Sequence, residues 1–329
     1  MAGFDRGALS AKRRGVEPLM ATATKHYMRK CVWLEVAKQR SERVGGPIHY
    51  FTLTTADLFD VRLFEREGLL ERTARGYPGL GFCEFSDKEY DDIMRKVGWC
   101  RWSYKGWFEE MVRDHPNFDS DFSFDVVNLD FILVPFPEQD SPLEGTWGAI
   151  QRLLEIQWNH QRSFDLFLTF NGSRDGTDPD AIARVANLLA SNLQTGRGAT
   201  ELEGRIGHRD VRRLLEDDYV EFLCVGLPKL VVGDALQLGF DLTRADIYKY
   251  PRLGDGQIYY IVKFAFSFEV PDNTQRSFAD PPRLVENYDA AVPLIFSTPA
   301  KDVGDLLDSD PVLRKEVSDD LDSLRGELA

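Results

Sequence analysis

Asp130 is the residue whose surroundings ask most for chemistry. It stands near the end of FDVVNLDF (Phe124 to Phe131), where mainly apolar residues precede it, and a carboxylate buried there without compensation is costly. It must therefore reach a cleft, a helix cap or a cation. Arg174 follows the apolar run SFDLFLTF (Ser163 to Phe170) and is a cation that either pairs with Asp130 or meets an anionic substrate. Other chemistry finds little support. The five histidines, His26, His49, His115, His160 and His208, are scattered without HxxxH spacing, and Cys31, Cys83, Cys100 and Cys224 form no CxxC. Neither a metal site nor a disulfide framework is signalled. No GxSxG elbow, P-loop or kinase signature occurs. Glu84, Asp87 and Lys88 fail as a nuclease cluster because the last two lie at a helix start.

The elements that must position these groups alternate. Tyr27, Cys31, Leu34 and Ala37 recur at helical spacing, with Lys25, Arg29, Lys30, Glu35 and Lys38 largely off that face, so Thr22–Arg43 reads as an amphipathic helix. After Gly45-Gly46-Pro47 comes IHYFTLT (Ile48 to Thr54), rich in β-branched and aromatic residues, a strand, and then a helix from about Asp57 to Leu70. The run Gly76 to Gly81 precedes a short strand, Leu80 to Cys83, and reads as a loop. Ser86-Asp87 then caps a helix. FDVVNLDF is near-continuously apolar, as parallel strands covered on both faces are. Trp99, Trp102, Tyr104 and Trp107 read as packing in preference to base stacking. Asp178-Pro179 opens a helix, and segments near Val211–Leu215 and Tyr219–Leu227 are helical, with a separate one after Pro228. Asp246–Tyr250 and Ile258–Glu269 flank Gly254-Asp255-Gly256 and read as an antiparallel hairpin.

Composition sets the outer bounds. The chain has 329 residues, 43% of them hydrophobic and 29% charged, as in ordinary globular proteins. No apolar run approaches the roughly 18–20 residues that cross a bilayer, and no signal peptide precedes the first helix, so a cytoplasmic protein without a membrane partner is expected. A net charge of −14 argues against a broad phosphate-binding surface, which needs Lys and Arg, and leaves nucleic acid only a local groove. The acidity gathers after Asp302, as in a solvated helix face or a docking element for a protein partner. That tail is expected to be helical or loose and to add little to the core.

The strands IHYFTLT, the acid-terminated LGFCE, FDVVNLDF, SFDLFLTF and the closing YYIVKFAFSFE occur in the order of the class I S-adenosylmethionine-dependent methyltransferase fold, and from about Ile48 to Glu269 the sequence resembles that family. The resemblance implies an α/β three-layer sandwich whose seven-stranded sheet is mainly parallel and ends in a C-terminal antiparallel hairpin. The residues before Thr22 mix Gly, Ala, Ser, Lys and Arg without a period and read as a mobile lead-in (1–21), which leaves a methyltransferase-like domain (22–270) and a C-terminal extension (271–329). S-adenosylmethionine would bind at the loop after the first strand, through Thr55 and Asp57, and at Glu84 through its ribose. Asn128 and Asp130 would be catalytic or substrate-positioning groups, and Arg174 would border the same cleft with Glu84 and Asp130. The loop Thr54-Thr55-Ala56-Asp57 departs from the family in having no glycine. An acidic chain of this kind is similar to proteins of bacterial mobile-element and antiphage-defence neighbourhoods. Two functions follow, a methyltransferase acting on nucleic acid or protein, and an inactive methyltransferase-like subunit of a protein complex. An open pocket at the loop favours the first; Leu58, Phe59 or Phe82 filling it favours the second.

Overall fold

A computed structural model describes residues 22–131, 133–138, 145–195, 198–207, 210–254, 257–271 and 281–326. The expected lead-in and the centre of the expected hairpin turn, Asp255 and Gly256, lie outside them. The chain divides into two compact units, one formed by residues up to Trp107 together with those from Asp302 on, the other by Phe108–Lys301. Eight strands occur among the described residues, mostly parallel, with one antiparallel hairpin.

The first unit opens with α1 (Ala23–Tyr27), a π-helical segment (Met28–Trp33) and α2 (Leu34–Val44). The π turn, in which the Leu34 N–H reaches back to Arg29 O, accommodates an extra residue and so shifts the phase of the helical face. The expected polar face holds only in part, because Lys25 and Arg29 are buried while Lys30, Glu35 and Lys38 are not. Next come β1 (Tyr50–Thr52), α3 (Phe59–Arg66), β2 (Gly76–Glu84), α4 (Asp87–Val97) and β3 (Trp99–Lys105). Ser86 caps α4 by accepting the Glu89 N–H. The strands pair in parallel in the order β3-β2-β1. The glycine run expected to be a loop is instead the first half of β2. A Cβ on Gly76 would lie 2.1 Å from Trp99 O, and one on Gly79 would lie 2.9 Å from Ile48 O, so glycine there lets neighbouring backbones approach.

The second unit contains α5 (Phe108–Asp114), α6 (Phe118–Asp121), β4 (Val126–Asp130), α7 (Thr146–Asn159), β5 (Phe164–Asn171) and α8 (Pro179–Thr195). It continues through α9 (Ala199–Ile206), α10 (Val211–Asp217), α11 (Tyr219–Leu238), β6 (Asp241–Gly254), β7 (Gln257–Glu269) and α12 (Pro281–Phe296). The order is β4-β5-β7-β6, with β4 and β5 parallel and β7 antiparallel to both neighbours. β5 is buried along almost its whole length, which accounts for its unbroken apolar sequence. Pro228 does not separate two helices as expected. It lies inside α11, most of whose residues from Phe222 to Leu236 are buried, and that packing outweighs the hydrogen bond a proline removes.

The two-residue strand β8 (Lys301–Asp302) precedes α13 (Val303–Ser309) and α14 (Pro311–Gly326), which complete the first unit. This tail is helical, but the expectation that it adds little to the core is wrong. Val303, Leu307, Val317, Leu321 and Leu324 are buried, whereas Val312 is exposed. Leu321 and Leu324 cluster with Phe59. Some of the acidity is explained locally, since Asp302 caps α13 and Asp310 accepts the N–H groups of Val312 and Leu313 at the start of α14. Among the described residues no helix is long and apolar enough to cross a membrane.

Candidate functional site

In the second unit the polar groups converge on one row of the sheet. Register places Asp130 of β4 beside Thr169 of β5, Thr169 beside Lys263 of β7, and Lys263 beside Tyr248 of β6. Lys263 is fully buried. Its Nζ donates to the Thr169 hydroxyl at 3.0 Å and stands 3.5 Å from Asp130 Oδ1, while the Asp130 side chain keeps 16% exposure. Asp130 thus meets a cation, as its sequence position demanded, but the cation is Lys263 and not Arg174. Lysine charge taken wholly out of water needs such a partner. Asn128, two residues back on the same face of β4, is also buried.

Arg174 is exposed in the turn after β5. Its charge acts on Tyr219, whose hydroxyl lies 3.5 Å from Thr177 Oγ1. Burial pushes the Tyr219 phenol up, with Thr177 and Arg174 opposing. Gly172 packs against the Tyr260 carbonyl, where a Cβ would lie 2.9 Å away, so the backbone after β5 is pinned to β7. Elsewhere in this unit a cavity of about 580 Å³ lies against α5 and α7. Its charged lining is already neutralised in part, by Arg152 bonding Asp119 and Glu155 and by Arg113 bonding Asp114.

In the first unit the loop after β1 is organised by Asp60. The Tyr50 hydroxyl donates to Asp60 Oδ2 at 2.5 Å and the Thr52 hydroxyl to the same oxygen at 2.9 Å, with the Thr54 hydroxyl 3.5 Å from Oδ1. Alternate residues of a strand share a face, so one face of IHYFTLT is a ladder of hydroxyls gripping the first turn of α3. The signal was present in the sequence as Tyr50, Thr52 and Thr54 at period two, followed by the acids Asp57 and Asp60. Thr55 and Asp57 are half-buried, and Thr55 O accepts the Leu58 N–H. Leu58 has a left-handed backbone, φ 54°, and a buried side chain. Phe59 and Phe82 are buried as well.

Glu84 closes β2 as expected and is buried. Its Oε1 accepts the Ser86 N–H at 2.7 Å, which ties the carboxylate to the residue that caps α4. Just beyond it, Phe85 stacks on Trp107 with ring centroids 4.1 Å apart. Among the described residues no group of three or more His, Cys, Asp or Glu is placed to hold a metal ion.

The site residues expected from the sequence therefore fall in both units, Thr55, Asp57 and Glu84 in the first, Asn128, Asp130 and Arg174 in the second. Lys263 and Thr169 were missed. Lys263 is the one charged residue inside IYYIVKFAFSF, a signal as strong as the one that singled out Asp130. No protein-family profile matches the chain, and no curated protein matches it.

Proposed function

We propose that this chain is a methyltransferase-like α/β protein that does not bind S-adenosylmethionine and acts as a protein-binding subunit. The observation that carries this reading is Leu58. A cofactor loop after the first strand needs backbone that a ligand can approach, which glycine provides. Here a leucine takes the left-handed conformation that glycine would take, and it buries its side chain. Phe59, next to it in sequence, is buried, as is Phe82, which pairs in register with Thr52 of β1, and the hydroxyl ladder is spent on Asp60. Support for the fold behind the reading is that β7 alone is reversed among β4, β5, β6 and β7, as the resemblance implies, and that β3-β2-β1 is one half of a doubly wound order.

A second reading, a working methyltransferase, is favoured by the Asp130–Lys263 pair. Carboxyl ends of parallel strands are where open α/β sheets place ligands, and Asp130 keeps part of its side chain accessible there. Titration of the purified chain with S-adenosylmethionine by calorimetry separates the two. No binding heat at millimolar cofactor is the expected result. Saturable binding, weakened by Glu84→Ala, would reinstate the enzyme.

A further inference from the structure

The first unit holds a buried charge that the proposed function does not use. Arg29, in the π-helical segment, is 6% exposed, and its guanidinium lies 5.2 Å from the centre of the Phe59 ring. Among the described residues Nε and Nη1 find no hydrogen-bond acceptor. These two nitrogens carry three of the five N–H bonds of the group. Stacking on an aromatic face offsets part of the desolvation, but it leaves in-plane donors unmatched, and donors of that kind call for an ion or water.

One turn earlier His26 is fully buried, and its Nδ1 also has no partner among the described residues. Its Nε2 lies 2.7 Å from Asp320 Oδ2 on α14. A carboxylate at Nε2 fixes the tautomer with the proton there, so Nδ1 presents a bare lone pair. Asp320 Oδ1 is in turn bonded by Arg66 at 2.7 Å, with Lys30 at 3.8 Å. Burial is the main cause that lowers the His26 pKa, and the Arg29 charge adds to it, which agrees with a neutral ring beside an uncompensated cation. The Arg29 charge reaches the His26 ring, so the unmatched donors of Arg29 and the unmatched acceptor of His26 lie within electrostatic reach of each other.

We propose that Arg29 and His26 form a binding site for a hydrogen phosphate group, whose charged oxygens accept from the Arg29 Nε and Nη1 and whose P–OH donates to His26 Nδ1. The pattern selects among anions. Chloride offers no directed acceptors for two nitrogens. Sulfate supplies acceptors for Arg29 but has no proton to give His26. Hydrogen phosphate matches both. The pairing of Asp320 with His26 holds the ring in the tautomer that receives the proton, which makes Asp320 a positioning residue for this site.

The test is thermal melting of the full chain at pH 7 and fixed ionic strength, with sodium phosphate, sodium sulfate or sodium chloride. Phosphate is expected to raise the wild-type melting temperature by roughly 3–5 °C across the millimolar range, as a ligand that binds only the folded state does. Sulfate should raise it less and chloride not at all. In Arg29→Met the phosphate increment disappears, while the melting temperature in chloride equals or exceeds that of the wild type, because an unpaired buried charge has been removed. A wild type indifferent to phosphate, or an equal increment in Arg29→Met, overturns the site; equal stabilisation by sulfate overturns the hydrogen phosphate assignment. Should Arg29→Met not melt cooperatively, the imidazole nitrogen resonances of isotopically labelled wild type decide. His26 Nδ1 shifts on addition of phosphate if the site is real, and stays unmoved if it is not.

Discussion

Leu58 shows how one residue decides what a loop can do. Its left-handed φ carries a penalty for any residue with a Cβ, about 1–2 kcal/mol, while its buried side chain is worth about 2–5 kcal/mol relative to alanine. Leu58→Ala loses the packing and keeps the strain, whereas Leu58→Gly loses the packing and sheds the strain. Both variants should be less stable than wild type in urea, and the glycine variant should be the more stable of the two by about 1 kcal/mol, the reverse of the helix-interior order. An alanine variant at least as stable as the glycine one would show that Leu58 is not strained. The Asp130–Lys263 pair makes a second residue-scale prediction. Asp130 retains some water contact while Lys263 has almost none, so Asp130→Ala, which strands the lysine, should destabilise by roughly 3 kcal/mol or more, and Lys263→Met by less. Equal losses in chemical denaturation would mean that the exposure difference has no energetic consequence. Sequence reasoning found Asp130 from its apolar setting and offered Arg174 as one possible partner, but Lys263 went unnamed, because a strand lysine at register distance can be found only once the strand pairing is known.

At the scale of elements, what was legible was what local chemistry controls. Ser86 and Asp178 mark their helices as capping residues should, and the apolar runs that became β4, β5 and β7 lie close to their expected bounds, whereas β1 is shorter than expected and β2 and β6 are longer. What failed depended on neighbours. The run GYPGLG looks like a loop until Trp99 O and Ile48 O are seen pressed against its glycines, and Pro228 looks like a helix end until the burial of α11 on both sides of it is known. The tie between α1 and α14 makes an element-scale prediction about pH. Burial, more than any other cause, lowers the His26 pKa below 6.5, although the hydrogen bond to Asp320 opposes it. The folded state then binds the proton less readily than the unfolded state, so stability is full above about pH 6.5 and falls as pH drops toward the folded value. Asp320 adds to the loss at lower pH. Burial raises its pKa, but bonds from His26 and Arg66 hold it below the usual value, and its contribution vanishes as pH falls through that lowered value. In His26→Gln the slope of stability between pH 7 and 5 should flatten. A slope unchanged in the variant would place the titration elsewhere.

At the scale of the whole molecule, composition reported charge correctly and missed where it is used. With 54 acids against 40 Lys and Arg, a tail carrying so many of the acids reads as solvated, and its apolar residues look too few to matter. The periodicity settles the matter differently: Val317, Leu321 and Leu324 fall at spacings of four and three along α14 and are all buried, while the acids occupy the remaining faces or cap the helices. Two contacts specific to the first unit make the docking more than a hydrophobic stripe, Leu321 and Leu324 against Phe59, and Asp320 against His26 and Arg66. Removing residues from Asp302 onward therefore exposes Phe59 and strands His26, Lys30 and Arg66 without their carboxylate. Each fully buried aliphatic side chain is worth about 1.5–3 kcal/mol, so even after the ordering entropy of the tail is deducted the first unit should lose several kcal/mol. Calorimetric melting of the truncated chain should show a transition lowered by roughly 5 °C or more. Asp320→Ala in the full chain, which leaves the apolar stripe intact, should produce only part of that shift. A truncated chain that melts with the wild type would mean that α13 and α14 rest on the first unit without stabilising it.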